Sequence, residues 1–104
     1  MDWYLTKRTI RHWWQRRTRG WDDSELWCLD ATIARFVLPR LKRFREVAPV
    51  RPGGMQKAVW DKHLDDIIYA MDVCSSEESK SDIDWDRVLL GLERFGECFR
   101  CLWW

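Results

Sequence analysis

Gly20-Trp21-Asp22-Asp23-Ser24-Glu25-Leu26-Trp27-Cys28-Leu29-Asp30 decides how this chain folds. Asp22 suits a helix N-cap and Glu25, three residues on, completes a capping box. Trp21 before the cap can clamp Leu26 inside the helix as a hydrophobic staple. The run therefore opens a helix expected over Asp23 to about Val47, where Leu26, Leu29, Ile33, Val37, Leu41 and Phe44 recur at spacings of three and four. Pro39 removes a helical hydrogen bond to the carbonyl of Arg35, which predicts a kink near Arg35 to Leu38 or two helices meeting there.

Upstream, Trp3, Ile10, Trp13 and Trp14 give residues 3 to about 17 a rough apolar stripe, with Asp2 as a candidate cap and Gly20 as a C-terminal stop. Downstream, Ala48 to Gly54 reads as a proline- and glycine-rich hinge. A helix from about Gln56 to Val73 should bury Val59, Trp60, His63, Leu64, Ile67, Ile68 and Met71, with Asp61, Asp65, Asp66 and Asp72 mostly outside. Cys74 to Ser81 is polar, acidic and expected to be mobile. A last helix should begin near Asp82 or Asp84, run to about Leu102, and turn Trp85, Val88, Leu89, Leu92, Phe95, Phe99 and Leu102 inward. Gly91 and Gly96 each weaken it by roughly 1 kcal/mol relative to alanine, which predicts close packing of its backbone on a neighbour. With no strand-like alternation or internal repeat, the fold class is all-α: a small, compact bundle of three strong helices plus a weaker basic N-terminal helix. It forms one domain over 1–104, divided into a basic aromatic segment (1–20) and a bundle core (21–104).

Composition limits function more than it assigns it. The chain has 104 residues and nine tryptophans, more aromatic surface than so small a core can inter. Some tryptophans should therefore lie on a surface that meets another subunit, a ligand, a membrane or a protein partner, and a homo-oligomer is expected. The net charge of +1 conceals an asymmetry: twelve Lys/Arg against six Asp/Glu in residues 1–54, and six against eleven in residues 55–104. No apolar run approaches the length of a membrane span. The N-terminal segment lacks a signal-type apolar region, so Cys28, Cys74, Cys98 and Cys101 are expected as reduced cytosolic thiols.

A family resemblance adds to this. The runs Arg19 to Asp30, Leu38-Pro39-Arg40-Leu41-Lys42-Arg43-Phe44, Trp60-Asp61-Lys62-His63-Leu64-Asp65, Ile68-Tyr69-Ala70, Arg87-Val88 and Gly91-Leu92-Glu93-Arg94-Phe95 resemble a group of small uncharacterised proteins encoded by tailed bacteriophages. The resemblance covers about residues 19–104. It departs at Asp66-Ile67, where a Lys-Met pair is expected, and in the Cys98/Cys101 pair. It implies a viral accessory protein of the host bacterial cytoplasm, and no activity.

Candidate sites follow from residue chemistry. Cys98 and Cys101 have Cys-x-x-Cys spacing, but at a helix C-terminus, where the dipole disfavours a thiolate, and no second ligand pair stands at zinc-finger spacing. His63 and Asp66, one turn apart, could form a general-base pair, yet no nucleophile or oxyanion motif accompanies them. Asp22, Asp23 and Asp30, or Asp61, Asp65 and Asp66, lack the Glu-x-x-His pattern of carboxylate-bridged metals. The expectation is a non-enzyme without metal or cofactor.

The strongest candidate is the basic, aromatic run Lys7 to Arg19. Arginine supplies bidentate phosphate contacts and tryptophan a flat face for a base. The ligand-binding set is Arg11, Trp13, Trp14, Arg16, Arg17 and Arg19, joined by Arg40 and Arg43. The expected ligand is a small anionic nucleotide-type signal of host antiviral defence, which the protein would sequester. An alternative is an inhibitor or adaptor pressing its acidic helices on a host defence protein. Direct nucleic-acid binding by the N-terminal segment is disfavoured by the near-zero net charge. The same run also suits an interfacial helix on anionic lipid, or a solvated face whose arginines pair with the acidic half.

Overall fold

The computed structural model describes residues 3–48, 51–76 and 81–103. These residues form four α-helices, α1 (Trp3–Arg19), α2 (Leu29–Val47), α3 (Lys57–Ser75) and α4 (Trp85–Cys98). A 3₁₀ turn (Asp23–Leu26) precedes α2, and a second (Phe99–Cys101) ends α4. The all-α class and the small helical bundle follow. Among the described residues no helix is long and apolar enough to cross a membrane. The expected cap at Asp2, part of the hinge at 49–50, the acidic stretch 77–80 and Trp104 lie outside the described residues.

The centre of the bundle is α3. Both α2 and α4 pack along it, whereas among the described residues α2 and α4 do not pack on each other, and α1 packs on no other helix but against the segment Trp21 to Trp27. The core is accordingly narrow: Ala34 and Leu41 from α2, Trp60, Leu64, Ile67 and Met71 from α3, and Cys98 from α4. The molecule's thinnest dimension is 20 Å, about two helix diameters. The radius of gyration of 17.5 Å exceeds the roughly 13 Å of a compact 100-residue domain, so this is an elongated slab and not the compact bundle expected.

Three helical expectations change in detail. The Asp22 capping box forms, with the backbone N–H of Asp22 donating to Glu25 Oε2 at 2.9 Å and that of Ser24 to Asp22 Oδ1 at 2.8 Å. It caps only the 3₁₀ turn. The chain then breaks at Trp27-Cys28, where Cys28 adopts φ +51°, and α2 starts afresh at Leu29. Of the two outcomes expected at Pro39, two helices meeting there do not form, since α2 runs through Pro39 as a single helix. Arg35 and Pro39 are both exposed, so water can take the carbonyl that loses its amide, while Arg40 Nη1 donates to the neighbouring Phe36 carbonyl at 2.8 Å.

The third change concerns which faces are buried. Asp66, expected outside, is buried on the α4 side of α3, and Arg87 Nε donates to its Oδ1 at 3.1 Å. The guanidinium of Arg87 also lies 4.3 Å from the Tyr69 ring centre, and the Tyr69 hydroxyl accepts from the backbone N–H of Asp84. A Cβ at Gly91 would stand 2.3 Å from the Asp66 carbonyl oxygen and 2.6 Å from Ala70 Cβ, so the missing side chain is what lets α4 approach α3. Gly96 meets nothing within 4 Å and has no such role. Val88, Gly91 and Cys98 are the buried positions of α4. Trp85, Leu89, Leu92 and Phe99, expected to face inward, are exposed because α2 does not close over them.

Candidate functional site

The corner between α1 and the first 3₁₀ turn concentrates charge and aromatic surface. Gly20, at φ +83°, ends α1 by donating its N–H to the Arg16 carbonyl at 2.9 Å. That left-handed conformation, which glycine adopts without steric cost, turns the chain back so that Asp22 and Asp23 lie against the last turns of α1. Asp23 is the clasp. Its carboxylate accepts from Arg11 Nη2 (3.1 Å), Gln15 Nε2 (2.7 Å) and Arg19 Nη2 (2.7 Å), and its N–H donates to Gln15 Oε1 at 2.8 Å. Asp22 is buried, caps the turn and accepts from Arg16 Nη1 and the Ser24 hydroxyl, with His12 Nδ1 3.8 Å away.

Hydrogen bonds set the titration of these acids. Those from Ser24 foremost, and then the one from Arg16, hold the Asp22 carboxyl down at about 2 against the opposing effect of burial. The bonds from Gln15 and then Arg19 lower Asp23 as well. Both are carboxylates over the neutral range, and they offset two of the six Lys/Arg charges on α1.

Around this clasp, Lys7, Arg8, Arg11, His12, Asp23 and Trp27 line a hollow of about 490 Å³. Trp27 is 55% exposed. The guanidinium of Arg8 sits 4.2 Å from its ring centre, and His12 meets it edge-on at 5.8 Å. Cations and an accessible ring thus face one space, which suits an anion carrying a planar group.

The eight residues expected to form the site are divided by the structure. Arg11 lines the hollow. Arg16 is engaged with Asp22, and Arg19 with Asp23 while its guanidinium covers Trp21 at 3.7 Å. Trp13 and Trp14 are exposed and pack edge-to-face on each other at 5.2 Å, with Arg17 5.6 Å from Trp13, and none of the three lines the hollow. Arg40 lies over Phe36 and Arg43 pairs with Glu46, both on α2, which makes no contact with α1. Arg11, Arg16 and Arg19 pair with Asp22 and Asp23, not with the acidic half of the chain, while Arg8 and Arg17 lie against Trp27 and Trp13. Lys7, Arg8 and His12 lie within the candidate run Lys7 to Arg19 but were left out of the ligand-binding set, and Trp27 was in neither. The available signal was spacing, since positions 8, 11, 12 and 15 share one face of a helix.

The other candidates are reorganised too. Asp66 turns to Arg87, so no His63–Asp66 pair forms, and the buried Nδ1 of His63 has no hydrogen-bond partner among the described residues. Burial pushes the Cys98 thiol up, with Cys101 adding to the effect, and burial does the same for Cys74. Asp61, Asp65, Asp66, Asp84 and Asp86 line a second hollow, of about 570 Å³, between α3 and the start of α4. Three of the five already face cations: Asp61 lies 3.6 Å from Lys57, Asp65 is bound at 2.6 Å by Arg45, and Asp66 is bound by Arg87. No protein-family model matches the chain, and no curated protein or solved structure is significantly similar to it.

Proposed function

We propose that this chain is a non-enzymatic binding protein that takes a small, anionic, nucleotide-type ligand into the α1 corner. The observation that carries the reading is the joint presence of Lys7, Arg8, Arg11, His12 and the half-exposed Trp27 ring around one hollow. Arg8 already occupies the ring face with a planar group. A base would take that face and release the guanidinium for phosphate, with Lys7 and Arg11 beside it. With the resemblance to phage-encoded proteins, the proposed role is sequestration of a nucleotide signal of antiviral defence in the host bacterial cytoplasm. Base stacking is worth about 1–3 kcal/mol, so Trp27→Ala should weaken binding by about tenfold to a hundredfold in calorimetric titrations against cyclic and ADP-ribose-type nucleotides. Arg8→Gln should weaken it for phosphorylated ligands only. Absence of heat with every nucleotide tested would remove the proposal.

The five aspartates lining the second hollow favour one other reading, an adaptor that engages a basic surface of a host defence protein. Charge reversal at the half-buried Asp61 and the exposed Asp86 tests it, because reversal at the buried Asp66 would disrupt the α3–α4 contact itself. A pull-down unchanged by Asp61→Lys and Asp86→Lys would dismiss this reading.

A further inference from the structure

The apolar stripe of α4 recurs at helical spacing, as a core-facing stripe should, yet it lies open. Leu89 is 65% exposed and Phe99 61%, and across the uncovered gap Phe36 of α2 is 60% exposed. Between the helices runs an apolar groove of about 210 Å³, in which Phe36 and Phe44 face Phe95, Phe99 and Leu102. We infer that this α2/α4 face is the interface of a symmetric dimer, with a second copy of the chain as its occupant.

Area and charge both favour that occupant. Ile33, Phe36, Trp85, Leu89, Leu92 and Phe99, each between 41% and 65% exposed, present roughly 600 Å² of side-chain surface. With their surroundings this approaches the about 800 Å² per partner of a stable protein interface. A two-fold axis running along the groove places α2 of one copy over α4 of the other. Among charged residues, α2 carries five Lys/Arg against Asp30 and Glu46, whereas α4 carries Asp86, Glu93 and Glu97 against Arg87 and Arg94. The crossed pairing is therefore complementary, while a pairing of α2 on α2 repels. The face is self-complementary in shape as well, since each copy offers both a groove and aromatic ridges beside it. This face shares no residue with the α1 hollow, so the inference stands independently of the nucleotide reading.

Analytical ultracentrifugation of the full chain over about 1–100 µM, a range suited to interfaces of this size, tests the inference. A monomer–dimer equilibrium is expected, with the Trp85 indole N–H signal in NMR spectra shifting as the concentration rises. Phe36→Ser and Leu89→Ser, at exposed positions, should each weaken dimerisation by roughly tenfold or more with helical circular dichroism retained. Trp14→Ala on α1 should leave it unchanged. A chain that stays monomeric at 100 µM overturns the inference. So does a dimer indifferent to Phe36→Ser and Leu89→Ser, or one that Trp14→Ala dissociates. Should either serine variant unfold, the concentration dependence of the Trp85 indole N–H signal in NMR spectra of the wild-type chain decides. Cosedimentation of a monomeric chain with anionic phospholipid vesicles would assign the face to lipid instead.

Discussion

Gly91 and Gly96 occupy the same helix, and the same substitution should move stability in opposite directions at the two. Alanine for glycine in a helix interior gains about 1 kcal/mol of propensity, and this gain applies to both. At Gly96 the new methyl meets nothing within 4 Å, so Gly96→Ala should keep the whole gain and raise the melting temperature by about 4–8 °C. At Gly91 the methyl would fall 2.3 Å from the carbonyl oxygen of Asp66 and 2.6 Å from the Cβ of Ala70. Neither is the end of a flexible side chain, so α4 must lift from α3. Overpacking of this kind costs about 1–3 kcal/mol. Separation of the two helices would add to that cost by stretching the bond from Arg87 to the buried Asp66 and loosening Val88 and Cys98. The net expectation for Gly91→Ala is a loss of about 1–2 kcal/mol, and the two variants should differ by about 2–3 kcal/mol. Urea unfolding monitored by circular dichroism measures both at a fixed low protein concentration, which keeps association out of the comparison. A Gly91→Ala protein as stable as Gly96→Ala would refute the claim that the missing side chain sets the α3–α4 distance.

Two further outcomes are expected. The folded-state pKa of Asp22, about 2, lies below its ordinary value of 3.8, so its contribution is fully present above about pH 4 and is lost as pH falls toward 2. Acid titration followed by the NMR signals of Trp27 and His12 should therefore release the α1 corner in that window, and Asp22→Asn should abolish the step; a corner unchanged down to pH 2 would contradict the clasp. Cys28 holds φ +51° and is exposed, a conformation costing an L-residue about 1–2 kcal/mol. Cys28→Gly should raise the melting temperature by a few degrees, and in the wild-type chain iodoacetamide should modify Cys28 before the buried Cys98, as peptide mass spectrometry would show.

Much of the local structure was legible in the residues. Gly20 ends α1, Asp22 and Glu25 form their capping box, and the apolar spacing of Trp60, Leu64, Ile67 and Met71 marks the buried face of α3. Each depends on neighbours within a turn or two of helix, which sequence spacing reports directly. The excess of tryptophan was legible too: among those whose side chains are described, Trp60 alone is buried. The site was less so. Arg16 and Arg19 look available in the run Lys7 to Arg19, yet both are engaged by Asp22 and Asp23. The hollow proposed as the site is lined instead by Arg8 and Trp27, which come together only because the chain reverses at Gly20.

Sequence by itself determined where helices form, where α1 stops, and that α4 carries an apolar stripe through Trp85, Leu89, Leu92 and Phe99. Tertiary structure alone decided what each stripe meets. Periodicity states that a face avoids water but does not name its partner. That depends on the distance between helices, set here by the bare Cα of Gly91, and on where α2 lies after the break at Trp27-Cys28. With α2 and α4 both committed to α3, the stripe that a four-residue repeat marks for the interior remains on the outside.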